Sequence, residues 1–217
     1  MSITNKPAAL LLVSSHCPHC HALETILKER ASKGLVGQLD IINVEQSPEV
    51  AQQYGVRSVP WLQLGHFIFD EALTPAKLDR WIGHVKEDSG QSDYLAYLLE
   101  HGKLAKAIEW IEQGNATLDV VIPVLEDKDT KINVRIGIGA VLEHFEDTQV
   151  IREIIPELIG LMQSDNPSIR TDACHYLSLT QSIDVVESLK KRLNDEDDQV
   201  REVARESIET LSSYRGG

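Results

Sequence analysis

The sequence predicts two domains of different fold class, an α/β domain followed by an all-α solenoid. Apolar runs of strand length occur only in residues 1–87, whereas residues 93–217 contain amphipathic stretches of helix length. The net charge of −13 is divided in the same way. Residues 1–88 carry 8 Lys/Arg against 10 Asp/Glu, and residues 89–217 carry 13 against 24, which gives −2 and −11. The polar segment 88–92 is interpreted as a linker.

The first domain has the predicted order β-α-β-α-β-β-α. A strand–helix–strand beginning favours parallel pairing of the first two strands, and the final pair of strands favours an antiparallel hairpin through Gly65-His66. The predicted strands are 8–13, 39–44, 59–64 and 67–69, and the predicted helices begin at Cys17, Ser47-Pro48 and Thr74-Pro75.

The second domain contains three self-similar helical hairpins. In each, a polar loop is followed by a second helix that begins with an aliphatic residue and an arginine, and these arginines, Arg135, Arg170 and Arg201, lie 35 and 31 residues apart. Periods of this size are typical of stacked repeats, because one hairpin cannot bury its apolar face alone. An atypical hairpin over residues 94–113 is predicted to cap the stack.

Cys17-Pro18-His19-Cys20 follows a predicted strand and opens a predicted helix. At that position, backbone N–H groups and the helix dipole stabilise an anion, so the pKa of the Cys17 thiol is expected to be lowered. Cys17 can then attack a disulfide, and Cys20, one turn further along, can resolve the mixed disulfide. His19 lies between them and is expected to tune the thiolate.

This motif, the strand order and Val59-Pro60 about 40 residues later resemble the thioredoxin superfamily. The Cys-Pro-His-Cys tetrad is similar to that of the strongly oxidising, DsbA-like members. The resemblance implies that Pro60 is cis and packs near Cys17, and that backbone groups of Val59 hold an extended substrate segment. Trp61 either lines the same substrate groove or packs within its strand.

The helical hairpins resemble HEAT repeats, mainly through Ile154-Ile155-Pro156-Glu157-Leu158 and residues 165–170. The resemblance implies structural arginines that pair with loop acids of neighbouring repeats, and a concave face that binds proteins. No catalytic group is predicted in this domain.

Other interpretations of the cysteines remain open. Cys17 to His21 also matches the Cys-x-x-Cys-His pattern of haem attachment, and His16, Cys17, Cys20 and His21 contain metal-ligand types. Two unreactive thiols are a further alternative. Cys174 shares a helical face with apolar residues, which predicts a buried core cysteine, the other hypothesis being a third redox cysteine.

The sequence therefore predicts a protein dithiol–disulfide oxidoreductase without a cofactor, whose helical repeats recruit a protein client. The alternative is a non-catalytic scaffold or redox-sensitive adaptor. The acidic surface argues against nucleic acid as a partner, and no apolar segment is long enough to span a membrane. Because the sequence has only three cysteines and no leader pattern, we expect a cytoplasmic protein. The sequence does not indicate an oligomeric state.

Overall fold

The computed structural model describes residues 6–87 and 89–213 and divides into two compact units, Met1–Gly90 and Gln91–Gly217. Each unit has its own apolar core. Of the predicted linker 88–92, Asp88 lies outside the described residues, and the first helix of the second unit already begins at Gln91.

The first unit has the predicted order of strands and helices. Proline occupies the first turn of all three helices, where its missing N–H is not needed. The elements are β1 Ala9–Val13, α1 Pro18–Ser32, β2 Leu39–Asn43, α2 Pro48–Gln53, β3 Trp61–Leu64, β4 Phe67–Phe69 and α3 Pro75–Glu87.

The four strands form one sheet in the order β2-β1-β3-β4. β1 pairs with β2 in parallel and β3 with β4 antiparallel, as predicted, and β1 also pairs antiparallel with β3. The predicted third strand was too long by Val59 and Pro60, because proline has no N–H to donate to a ladder. The register places Leu12 opposite Trp61, so the carboxyl end of β1 lies beside the start of β3.

The turn between β3 and β4 depends on a glycine. Gly65 has φ +59°, a conformation that residues with a Cβ adopt only with strain. A Cβ at this position would also lie 2.8 Å from Cγ1 of Val85 in α3. The predicted Gly65-His66 turn is therefore confirmed, and the close approach of α3 adds a second reason for glycine.

The second unit consists of helical hairpins, including the predicted capping hairpin and the three predicted repeats. Short 3₁₀ turns at Leu118–Val120 and Ile183–Val185 precede two of them. The helices are α4 Gln91–Glu100, α5 Leu104–Glu112, α6 Val121–Glu126, α7 Ile132–His144, α8 Gln149–Arg152, α9 Ile155–Leu161, α10 Pro167–Leu179, α11 Val186–Arg192 and α12 Asp198–Ser213. The second helices α7, α10 and α12 pack side by side in that order.

The three repeat arginines are structural, and each donates to backbone carbonyls of its own interhelical loop. Only Arg170 also pairs with loop acids of the next repeat, as predicted, chiefly with Asp195. Arg135 instead reaches Asp172, on the next repeat's second helix, and Arg201 pairs with Asp198 of its own repeat. Within residues 6–87 and 89–213, no helix is long and apolar enough to cross a bilayer.

Candidate redox site

The Cys17–Cys20 pair forms a disulfide at the amino end of α1. Cys17 is the N-cap residue, with an extended backbone (φ −95°, ψ 106°), and Pro18 begins the helix. The backbone N–H of Cys20 donates to Sγ of Cys17 at 3.1 Å. The same N–H also donates to the backbone carbonyl of Cys17 at 3.2 Å, and its approach to the sulfur at the amino end of the helix favours negative charge there.

The two cysteines differ in accessibility. Cys17 is partly exposed, whereas Cys20 is only 2% exposed, and their Cα atoms are 5.3 Å apart. A macromolecular reactant can therefore reach Cys17 but not Cys20. This asymmetry matches the predicted roles of an attacking and a resolving cysteine.

The segment before β3 lies against the disulfide. The Val59–Pro60 peptide bond is cis, as the resemblance implied, and the carbonyl oxygen of Val59 lies 3.7 Å from Sγ of Cys17. Pairing of β1 with β3 brings these segments together, since the cysteine motif follows β1 and Val59-Pro60 precedes β3.

Trp61 is 5% exposed, so most of its surface packs inside the first unit. Its ring centroid lies 5.3 Å from that of Tyr54, which is 43% exposed. Tyr54 is thus the accessible aromatic residue next to the start of β3. Sequence reasoning missed it, because a tyrosine at the end of a short helix carries no distinctive signal.

The histidines of the motif lie on its outer side. His19 is exposed. His16 is 91% exposed in its side chain, and its Nδ1 lies 3.4 Å from Oε1 of Glu45. Hydrogen bonds from Ser15 hold the pKa of Glu45 below its ordinary value. Glu45 therefore adds a fixed negative charge beside the loop that precedes Cys17, which the sequence did not predict because it comes from the end of β2.

Cys174 is fully buried in α10, as predicted, and its thiol lies 3.7 Å from the sulfur of Met162. Burial raises the pKa of this thiol to about 11. A thiol that is neutral and shielded from solvent is unreactive, so the structure provides no route for Cys174 into the chemistry. Among the residues that the structure describes, no group of three or more His, Cys, Asp or Glu could hold a metal ion.

Comparison with known families agrees with both parts of the fold. A family model for the thioredoxin domain matches residues 9–82, and a family model for HEAT repeats matches residues 104–209. No curated protein matches the chain. Both resemblances predicted from the sequence are thereby confirmed.

Proposed function

We propose that this chain is a protein dithiol–disulfide oxidoreductase, because family models for the thioredoxin domain and for HEAT repeats match residues 9–82 and 104–209. The observation that carries the proposal is the placement of Cys17. It is partly exposed, caps a helix, and is joined to the buried Cys20. The client is a protein, and the HEAT repeats recruit it.

In the reducing direction, the Cys17 thiolate attacks one sulfur of a client disulfide. A Cys17–client disulfide forms, and the other client sulfur leaves as a thiolate that takes a proton. The Cys20 thiolate then attacks Sγ of Cys17, which releases the second client thiol and forms the Cys17–Cys20 disulfide. Two electrons pass from the dithiol to the client, and the oxidising direction is the same sequence reversed.

The helix terminus supports the first step. In the dithiol form, the N–H of Cys20 and the dipole of the 15-residue helix α1 stabilise a thiolate at Cys17. We assign the exposed His19, which lies between the two cysteines in sequence, an electrostatic role in tuning the Cys17 thiolate. Burial of Cys20 shields its thiol from other reactants, so its only reaction partner is the sulfur of Cys17 in the mixed disulfide.

Val59, Pro60 and Trp61 are the proposed substrate-binding residues. The carbonyl of Val59, 3.7 Å from the Cys17 sulfur, can accept a backbone N–H from an extended client segment. Such pairing is a short β-augmentation that places a client sulfur in line with Cys17. We keep the cytoplasm as the proposed compartment, because a chain with three cysteines has no disulfide framework.

Trapping tests the proposal. Cys20→Ser should accumulate mixed disulfides between Cys17 and client proteins, Cys17→Ser should form none, and Cys174→Ala should behave as the wild type. Non-reducing gels followed by mass spectrometry identify the linked cysteine. Equal trapping by Cys17→Ser and Cys20→Ser would exclude the assigned roles. Client binding that survives in the double serine variant, without any exchange activity, would instead favour the adaptor function.

A further inference from the structure

A groove of about 690 Å³ lies between α7 and α10, the second helices of successive repeats. We call it the α7–α10 groove. Its lining includes Ile132, Ile136, Gly139, Glu143, Asp172 and Tyr176.

One wall of the groove is apolar and exposed. Ile132 is 73% exposed and Ile136 is 67% exposed, the two highest values among the large apolar residues in the described ranges 6–87 and 89–213. They are four residues apart on α7 and therefore neighbours on one helix face. Gly139 continues this face without a side chain, and a Cβ built there would lie 3.6 Å from the hydroxyl of Tyr176. The wall is thus open to an apolar side chain at Ile132 and Ile136, and the Tyr176 hydroxyl closes it at Gly139.

The opposite wall presents one carboxylate, that of Asp172 in α10. The Asp172 side chain is 35% exposed, and its carboxylate lies 3.3 Å from Nη1 of Arg135. That guanidinium is shared, because its Nη2 also donates to the carbonyls of Leu125 and Asp127. Burial raises the pKa of Asp172, and the opposing effects of Arg135 and His175 do not cancel this rise.

Charge determines the kind of occupant. Glu143 lies in the same groove, and residues 89–217 carry a net charge of −11. Lys128, Arg135 and His175 also line the groove, but Arg135 is already committed to Asp172 and to two carbonyls. A cationic group is therefore attracted to this domain, and anionic ligands such as phosphates are repelled.

We propose that the α7–α10 groove binds a short client segment in which an aliphatic side chain stands next to a lysine or arginine. The aliphatic side chain packs on Ile132 and Ile136 above Tyr176. The cation pairs with Asp172 and Glu143. The inference depends on the proposed function only in identifying the partner as a redox client.

Selection from a cysteine-free random peptide display library on the full-length chain tests this assignment. Selected peptides should share an aliphatic residue beside Lys or Arg. Fluorescence anisotropy of the labelled consensus peptide should show about tenfold or greater weakening with Ile136→Asp and with Asp172→Asn. Ile183→Asp and Asp184→Asn are matched controls, since both residues are exposed and lie outside the groove, and they should change binding less than about twofold.

Selected peptides without a cation, equal binding by all four variants, or no enriched peptide would each overturn the proposal. A dimer in sedimentation that Ile136→Asp dissociates would also overturn it, by assigning the groove to a second copy. Because the peptides lack cysteine, this result is independent of redox chemistry. Peptide binding without disulfide exchange would refute the proposed function alone, and exchange without peptide binding would refute the groove alone.

Discussion

The buried ion pair between Arg170 and Asp195 provides a quantitative test of how the repeats hold together. The two side chains are 6% and 3% exposed and make two hydrogen bonds of 3.0 and 2.7 Å. Glu196 contacts the same guanidinium at 3.5 Å, but its side chain is 87% exposed. Asp195→Asn and Glu196→Gln therefore each replace a carboxylate that contacts Arg170. The two carboxylates differ in burial and in hydrogen bonding, because Asp195 also accepts from Nη1 of Arg192 and from the N–H of Asp197.

The magnitude follows from burial and from titration. The Arg170 guanidinium holds the pKa of Asp195 at about 2, below its ordinary 3.8. Since one pKa unit corresponds to about 1.4 kcal/mol, the ionised carboxylate contributes about 2 to 3 kcal/mol more to stability than the neutral acid does. Breaking a buried pair on one side typically costs about 3 to 5 kcal/mol. We expect a loss of about 3 kcal/mol for Asp195→Asn, and at most about 1 kcal/mol for Glu196→Gln.

Urea unfolding of the full-length chain, followed by far-UV circular dichroism, measures both losses. The transition of the helical repeats should move to lower urea in Asp195→Asn and stay nearly unchanged in Glu196→Gln. Because the folded-state pKa of Asp195 is depressed, its contribution is complete above pH about 4 and disappears as the pH falls through about 2. Asp195→Asn should therefore lose less stability on acidification than the wild type. Equal losses in the two variants would refute the argument from burial.

Three further predictions concern the first unit and the remaining cysteine. Gly65→Ala should lower the free energy of unfolding by about 2 to 3 kcal/mol, because of backbone strain at positive φ and a clash with Val85. Gly83→Ala, whose Cβ would lie in open space within α3, should not lower it. Urea titrations in which Gly83→Ala is the less stable variant would contradict this prediction. Cys174 should resist maleimide labelling until the chain unfolds, because it is buried and its pKa is about 11, and rapid native labelling would contradict its burial. His19→Ala should make the reduction potential of the Cys17–Cys20 disulfide more negative, because the thiolate loses a stabilising neighbour, and His21→Ala should leave the potential unchanged. Redox titration of both variants measures this difference. Identical shifts in the two variants would show that His19 has no special role.

Features governed by local rules could be predicted from the sequence. Cys17 lies at the start of α1 because Pro18 is compatible only with a first turn, and Gly65 forms a tight turn between two apolar runs. The parallel pairing of β1 and β2 follows from the intervening helix. The cis peptide bond before Pro60 was predicted from the family resemblance and not from the residues themselves.

Features that depend on distant partners could not be predicted. The antiparallel pairing of β1 with β3 places Val59 beside Cys17. Nothing in either segment specifies the other, and only the family resemblance implied that Pro60 lies near Cys17. Arg135 was expected to pair with a loop acid but reaches Asp172, because its partner depends on how successive hairpins stack. The exposure of Ile136 was also unforeseen, since α7 is apolar on several sides and periodicity does not show which side remains uncovered.

The equilibrium reduction potential of the Cys17–Cys20 pair tests the central proposal most directly. Titration of the full-length chain against a glutathione or dithiothreitol series, with the thiols counted by alkylation and mass, gives the midpoint and the electron number. We predict a reversible two-electron transition between about −270 mV, typical of a reductant, and about −120 mV, typical of an oxidant. The midpoint would also establish the direction of electron flow. If no intramolecular disulfide forms at any potential, Cys17 and Cys20 are not a redox pair and the proposed oxidoreductase function is wrong.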